Sequence, residues 1–142
     1  MAPAAAPTPV PADPVADVQE AVFLQHFANN LSGLQQGAAA YCIGLEDQRD
    51  PDPAFLRRFS GHQPPVKKRS DCVFEVSGVR EIATGRRALI FDVDSVTLLG
   101  ENDAEATGAY YEAGLSAGGS RFRLARRNGR WEVTDQQLTF IS

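Results

Sequence analysis

The sequence predicts an α+β fold in which N-terminal helices pack on a bent antiparallel meander of about five strands. Apolar residues recur at helical spacing in the first third of the chain, and they alternate with a period of two from Cys72 onward. The connections between the alternating segments are short and rich in Gly and Asn, which indicates hairpins. A length of 142 residues suits one domain.

The first residues differ in composition from the rest of the chain. Residues 2–14 are almost entirely Ala and Pro. Such a segment buries too little apolar surface to offset the entropy lost when it becomes ordered. We therefore predict a disordered tether over residues 1–15 and one α+β domain over residues 16–142.

Two helices are predicted ahead of the sheet. The first begins at Asp17, an N-cap with Glu20 at the capping-box spacing. Its apolar face consists of Val18, Val22, Phe23, Phe27 and Leu31. The second is short and begins after Asp52, which caps it with Pro53 at its first position. The run Tyr41–Leu45 between them suits either a helix end or a buried strand, and we leave both open.

The alternating part of the chain divides into five predicted strands, roughly Cys72–Val79, Arg87–Leu98, Glu105–Leu115, Ser120–Arg127 and Arg130–Ile141. Asn128 and Gly129 predict a two-residue type I′ turn between the last two strands. The turn pairs Arg127 with Arg130, Arg126 with Trp131, Leu124 with Val133 and Phe122 with Asp135. The apolar alternation changes phase near Asp94 and near Gln136, which predicts β-bulges that bend the sheet.

The closing hairpin reads Phe122-Arg123-Leu124, then Asn128-Gly129-Arg130-Trp131-Glu132-Val133. With the preceding helices and bent meander, it resembles the cystatin-like and nuclear-transport-factor-two-like α+β superfamily. The resemblance covers residues 17–141 in the order of elements, and only the last hairpin in residue detail. It implies a cone-shaped domain with a pocket between helices and sheet. It implies no single activity, because such folds host isomerases, cyclases and binding domains, and no catalytic residue carries over.

The two cysteines, Cys42 and Cys72, are predicted to form a disulfide, because a covalent cross-link stabilises a fold most where the loop that it closes is Pro-rich and poorly structured. The alternative is two buried free thiols. A disulfide indicates an oxidising compartment. The Ala/Pro tether directly after Met1 further suggests that an export or lipid-anchor signal has been removed. We therefore predict a periplasmic or extracellular, envelope-tethered protein such as a lipoprotein, against the competing reading of a cytosolic protein.

No motif in the sequence predicts a catalytic, cofactor-binding or metal-binding residue. Asp92 and Asp94 share one face of a strand, and such a pair suits acid–base catalysis or cation binding. The apolar residues that alternate with them, Leu89, Phe91 and Val93, occupy the opposite face. Both carboxylates are therefore predicted to point to solvent.

Three further features of the sequence have plain structural interpretations. Tyr110 and Tyr111 point to opposite faces of a strand, so one of them is predicted to be buried. His26 and His62 lie near no Cys/His cluster, so the sequence does not indicate zinc. The Gly-rich run Gly114–Gly119 opens no helix, which favours a flexible hairpin over an anion-binding loop.

Charge and hydropathy limit the partners. The net charge is −4, which does not favour nucleic acid, and no apolar run approaches the ~20 residues that span a bilayer. We predict a non-catalytic accessory or binding domain without a cofactor, whose partner is an unidentified protein or small molecule. The alternative is a small enzyme or ligand carrier with a pocket between helices and sheet. A scaffold that forms a homodimer through the sheet face is a third hypothesis.

Overall fold

The structure is a computed structural model that describes residues 13–29, 37–113 and 116–141, and it is a mixed α+β fold. Two α-helices are described, α1 (Pro14–Asn29) and α2 (Pro53–Leu56). Three 3-10 turns accompany them: Glu46–Gln48, Arg57–Phe59 and Arg69–Asp71. The strands are β1 (Tyr41–Gly44), β2 (Val66–Lys68), β3 (Cys72–Glu75), β4 (Gly78–Glu81), β5 (Leu89–Leu98), β6 (Asp103–Ala113), β7 (Ser116–Arg127) and β8 (Arg130–Ile141).

The main sheet has six strands in the order β2-β1-β5-β6-β7-β8. Strands β5 to β8 form an antiparallel meander, whereas β1 runs parallel to both β2 and β5. The prediction of about five strands in a purely antiparallel sheet is therefore wrong on both counts. The run Tyr41–Leu45 supplies β1, and all four of its strand residues are buried. A strand buried on both faces shows no alternation, so its sequence does not distinguish it from a helix end.

The predicted first strand, Cys72–Val79, instead contains most of a hairpin. Strands β3 and β4 pair only with each other and form a separate two-stranded sheet. Gly78 has a φ of 126°, a conformation that side chains disfavour, and the chain reverses there. The predicted strand therefore crosses a turn.

Helix α1 begins one turn earlier than predicted. The Asp13 carboxylate accepts a hydrogen bond from the Ala16 N–H at 3.0 Å, so Asp13 is the cap. Asp17 instead accepts from the Arg58 guanidinium at 2.8 Å. Pro14 and Val15, placed in the tether by composition, belong to the helix; the preceding residues of the predicted tether lie outside the described residues.

Helix α2 is capped as predicted. The Asp52 carboxylate accepts from the Phe55 N–H at 2.8 Å, and Pro53 occupies the first turn. Both groups act within a few residues of the chain, which is why sequence alone located this helix start.

Two hydrophobic clusters lie on the two faces of the main sheet. The larger joins α1 and α2 to β5, β6 and β7, and its bulkiest buried members are Phe23, Phe91, Phe122, Ile43, Leu89 and Leu124. The smaller lies beneath the β3–β4 hairpin and consists of Ala40, Cys42, Cys72, Val79, Ala88 and Ile90. Strand β5 contributes to both clusters, so it is covered on each face.

The closing hairpin follows the predicted register near its turn. Asn128 and Gly129 have φ angles of 53° and 75°, as a type I′ turn requires. The three predicted pairs that involve Arg127, Arg126 and Leu124 are confirmed. Beyond them the register shifts between Arg123 and Leu124, so Phe122 pairs with Gln136 rather than Asp135.

Bulges bend the sheet where the alternation of the sequence changes phase. The register of β5 against β6 shifts between Val93 and Ser95, as predicted. The bulge predicted near Gln136 is found on β8 at Thr134, and a second shift lies between Gly119 and Ser120 of β7. None of the described helices is both long enough and apolar enough to cross a bilayer.

Candidate functional site

Cys42 and Cys72 form the predicted disulfide. Cys42 lies in β1 and Cys72 begins β3, with their Cα atoms 6.2 Å apart and both side chains buried. The bond joins the β3–β4 hairpin to the main sheet across the smaller hydrophobic cluster. The free-thiol alternative is thereby excluded.

Asp92 is buried, which corrects the prediction that it points to solvent. Its side chain is 1% exposed and lies on the same face of β5 as Ile90. Arg69 donates from Nε to Oδ1 at 2.9 Å and from Nη2 to Oδ2 at 3.3 Å. Arg69 begins the 3-10 turn Arg69–Asp71, which covers this face of the sheet. This covering segment excludes solvent from the Asp92 carboxylate.

Gly44 makes the contact between Arg69 and Asp92 sterically feasible. Gly44 pairs with Asp92 across the β1–β5 ladder. A Cβ atom at Gly44 would lie 2.3 Å from Asp92 Oδ1 and 2.5 Å from Arg69 Cδ. Any side chain here would displace the ion pair, because neither distance allows a carbon atom.

The electrostatics of this cluster follow from burial. Burial raises the pKa of Asp92, although the hydrogen bond and the charge of Arg69 oppose the shift. Asp94 is exposed, as predicted, but partial desolvation raises its pKa, and the neighbouring Asp92 carboxylate adds to the effect. The pKa of Tyr111 is raised by burial and then by these two carboxylates. A carboxyl group with a raised pKa is a candidate proton acceptor, but Arg69 occupies both oxygens of Asp92.

His26 is the other buried titratable group of interest. It projects from α1 into the larger cluster, 5% exposed, with its ring centre 5.0 Å from that of Phe122 and 5.7 Å from that of Phe91. Its Nε2 atom has no hydrogen-bond partner among the described residues. Burial lowers the pKa of His26 to about 4, so the ring is neutral at physiological pH.

Gly108 of β6 accommodates His26. A Cβ atom at Gly108 would lie 2.7 Å from His26 Nε2 and 2.7 Å from the Asp92 carbonyl oxygen. The imidazole therefore occupies the space that a side chain on β6 would otherwise fill.

The side chains of His62, Tyr110 and Tyr111 pack against neighbouring residues of the fold. His62 Nδ1 lies 2.8 Å from the Pro64 carbonyl oxygen, and its ring packs near those of Phe27 and Tyr41. Tyr110 packs on the larger cluster and Tyr111 on the smaller, so they face opposite sides as predicted. Both are half-buried, whereas we predicted that one would be buried.

The Gly-rich run is mostly strand rather than flexible loop. Residues 116–119 belong to β7, and Gly114 and Leu115 lie outside the described residues. A Cβ at Gly118 would lie 2.7 Å from the Tyr110 ring, and one at Gly119 would lie 2.3 Å from the Phe140 ring. These glycines give room for neighbouring aromatic rings and do not form an anion site.

The described surface carries clefts near the start of α1. The larger, of about 760 Å³, is lined by Ala16, Leu45, Arg49, Phe55 and Arg58 among others. The other, of about 410 Å³, lies between α1 and the closing hairpin, and Pro14, Leu98, Arg126 and Trp131 line it. Within the described ranges, no group of His, Cys, Asp and Glu side chains is arranged to hold a metal ion.

Sequence reasoning missed the partnership of Arg69 with Asp92 and the buried position of His26. The signal for Asp92 was present in Leu89-Ile90-Phe91-Asp92-Val93, because an apolar run on both sides of an Asp indicates a strand covered on both faces. The signal for His26 was its spacing of four residues from Val22, on the apolar face of α1. No sequence signal identified Arg69, which lies 23 residues from its partner.

No protein-family model matches the chain, and no curated protein or solved structure is significantly similar to it. The candidate chemistry therefore rests on the geometry described above.

Proposed function

We propose that the chain is a non-catalytic binding domain of an exported or envelope-tethered protein. The observation that carries the proposal is the filled space between His26 of α1 and strands β5 and β7, where rings occupy the volume that a substrate pocket would need. The cleft of about 410 Å³ lies beyond this region, at the start of α1. The ring centres lie 5.0 to 6.3 Å apart in the neighbouring pairs Phe23–Phe27, Phe27–Phe91, His26–Phe91 and His26–Phe122. Such spacing is that of packed aromatic side chains.

The candidate catalytic carboxylate supports the same proposal. A general acid or base must come within hydrogen-bond reach of its substrate. Asp92 is 1% exposed and both its oxygens accept from Arg69, so a substrate would have to displace the guanidinium first. We interpret this pair as a device that holds the covering segment on the sheet.

The disulfide supports an extracytoplasmic location. A bond between buried Cys42 and Cys72 persists in an oxidising compartment and is rare in the cytosol. We infer that the domain works in the periplasm or outside the cell, held to the envelope by the segment that precedes α1.

We also retain the superfamily as a proposal. The order of a long first helix, a short second helix and a closing antiparallel meander supports a cystatin-like or nuclear-transport-factor-two-like domain. In this interpretation, side chains fill the pocket that is typical of the cone-shaped fold, and the domain binds its partner through its outer surface.

Aromatic NMR spectra of the full chain test the proposal. Indole and decanoate, added as probes of an apolar pocket, are expected to leave the resonances of His26, Phe91 and Phe122 unchanged. Saturable shifts at these three residues would instead identify a ligand carrier or enzyme. His62 is the matched control, because it packs on the same cluster from a half-exposed position.

A second arm tests binding itself. A photoreactive phenylalanine analogue at Phe74, which is 45% exposed, is expected to give one discrete adduct with another protein in the native host. The same analogue at buried Phe91 is the control and should give none. Absence of any adduct from Phe74 and from the other exposed apolar positions would contradict a protein-binding role.

A further inference from the structure

Strand β8 leaves an apolar edge on the main sheet. It is the last strand in the sheet order, and no described strand pairs with its outer edge. Leu138, Phe140 and Ile141 near its end are 62%, 48% and 69% exposed. Unpaired N–H and C=O groups on a long edge are a template for pairing with another strand.

The two halves of β8 differ in charge. The first half contains Arg130, Glu132 and Asp135, whereas Gln136–Ile141 contains no charge, no Pro and no Gly. Natural edge strands are usually protected by charge, by Pro or by a covering element. A six-residue segment of high β propensity without these features associates readily with its own kind. No described element covers this segment, so its edge is open to pairing with another strand.

We propose that the partner is a second copy of this chain, whose β8 pairs antiparallel with β8 about a two-fold axis centred on Gln136. The two six-stranded sheets then form one continuous sheet. Because a two-fold interface uses the same surface on both subunits, it closes after two copies and does not propagate.

The charge pattern supports the choice of centre. With the axis at Gln136, Asp135 lies opposite Gln137 of the second copy, and Glu132 lies opposite Phe140. With the axis at Asp135, two carboxylates would face each other, which is unfavourable across a strand pair. The proposed register places both carboxylates of β8, Glu132 and Asp135, opposite neutral residues.

The faces of the sheet agree with this register. Within one chain, Glu132, Asp135, Gln137 and Phe140 pair with alternate residues of β7, namely Ala125, Arg123, Arg121 and Gly119. These four side chains therefore share a face, despite the two bulges. Trp131 and Ile141 pair with Arg126 and Gly118, which belong to the other face. The pairs Glu132–Phe140, Asp135–Gln137 and Trp131–Ile141 thus each join residues of the same face, as a continuous sheet requires.

Sedimentation and light scattering of the full chain across a range of concentrations test the association. We expect a reversible transition from 15.3 kDa to twice that mass. A 15.3 kDa species at every concentration would overturn the proposal, and so would open-ended polymers, since the two-fold contact closes.

Substitutions at Gln137 test the register. Gln137→Lys places a cation opposite Asp135 of the second copy, twice per dimer, and Gln137→Glu places an anion there. At the usual strength of cross-strand charge pairs, Kd should fall about 2- to 30-fold in the first variant and rise by a similar factor in the second. Within one chain Gln137 pairs with Arg121, so the same changes affect folding in the opposite direction. A shift of Kd in the same direction for both variants would overturn the register.

A matched pair of variants tests the location. Leu138→Lys should weaken association, whereas Ile82→Lys, at a position that is also 62% exposed, should not. Thermal midpoints of both variants, measured where the chain is monomeric, verify that they fold. Equal weakening by both, or no weakening by Leu138→Lys, would overturn the proposal. The photo-crosslinking arm is independent of this one, because a self-adduct has twice the mass of the chain and an adduct with another protein does not.

Discussion

At the scale of single residues, Asp92 and His26 are buried polar groups in two different situations. Asp92 receives two hydrogen bonds from Arg69, so its desolvation is compensated by a partner of opposite charge. His26 has no such partner among the described residues and remains in the core as a neutral ring. The contribution of Asp92 to stability therefore depends on Arg69, and the contribution of His26 depends on pH.

We expect stability to fall as the pH falls from 6.5 towards 4 because of His26. Its pKa is about 4 in the folded chain against 6.5 as the ordinary value, so the unfolded chain binds more protons in this window. The loss is complete below the folded pKa and absent above about pH 7.5. Its full size is about 3 kcal/mol, at 1.36 kcal/mol per pKa unit. Urea denaturation at a series of pH values measures it.

His26→Leu is the control for this prediction. The variant should lose the dependence between pH 6.5 and 4, because it has no imidazole to protonate. The raised pKa of Asp92 affects stability in the opposite direction near pH 4. The quantity to compare is therefore the difference in the free energy of unfolding between variant and parent at each pH. A difference that is independent of pH would contradict the assignment to His26.

Removal of Arg69 should be strongly destabilising. Arg69→Met leaves the Asp92 carboxylate, 1% exposed, without its partner. Breaking a buried pair in this way costs about 3–5 kcal/mol, whereas replacing both members with apolar residues costs much less. The double variant Arg69→Met/Asp92→Leu should therefore have a higher denaturant midpoint than Arg69→Met alone. A double variant less stable than the single variant would show that the unpaired carboxylate is not the cause of the loss in Arg69→Met.

At the scale of elements, local chemistry determines the closing hairpin and the start of α2. The type I′ turn needs positive φ at both central positions, which Asn128 and Gly129 tolerate. The Asp52 cap acts three residues along the chain. Strands β1 and β2 depend instead on distant parts of the chain, since β1 lies between β2 and β5.

Gly129→Val should destabilise the domain by about 1–3 kcal/mol. Gly129 has a φ of 75°, and a β-branched residue at such an angle is strained by roughly this amount. Equilibrium denaturation measures the loss. Gly100→Val is the matched control, because Gly100 lies in the β5–β6 turn, lacks a positive φ and has open space around its Cβ position. An equal effect of the two substitutions would show that the turn conformation is not the cause.

At the scale of the whole molecule, the disulfide joins two parts of the fold. Cys42 and Cys72 are separated by 30 residues, and their bond holds the β3–β4 hairpin on the main sheet. The segment between them contains the 3-10 turns, α2 and β2. The smaller cluster has few large side chains of its own, so the covalent bond substitutes for apolar burial there.

Loss of the disulfide should lower the free energy of unfolding by about 3–4 kcal/mol, the chain-entropy value for a loop of this length. Cys42→Ala/Cys72→Ala, compared with the oxidised parent in urea, measures the loss. The β3–β4 hairpin should show the largest rise in amide exchange, and the closing hairpin, far along the sheet, is the internal control. Uniform exchange changes across the chain would show that the bond acts only on global stability.

The same bond provides a test of the compartment. Protein alkylated inside its native host before lysis should contain no free thiols if it resides in an oxidising compartment. Two alkylated cysteines per chain would contradict the proposed extracytoplasmic location, whatever the state of the purified protein.

The sequence by itself determined the α+β class, the antiparallel order of the last four strands, the type I′ turn and the α2 cap, and it favoured a disulfide over two free thiols. The first four features depend on the spacing and chemistry of residues close together in the chain, and the disulfide prediction depends on the Pro-rich loop between the cysteines. Only the tertiary structure decided that Tyr41–Gly44 is a parallel strand, that Arg69 covers Asp92, and that His26 lies against Gly108. Each of these depends on groups brought together from distant parts of the chain, and side-chain periodicity carries no information about which distant segment will cover a given face.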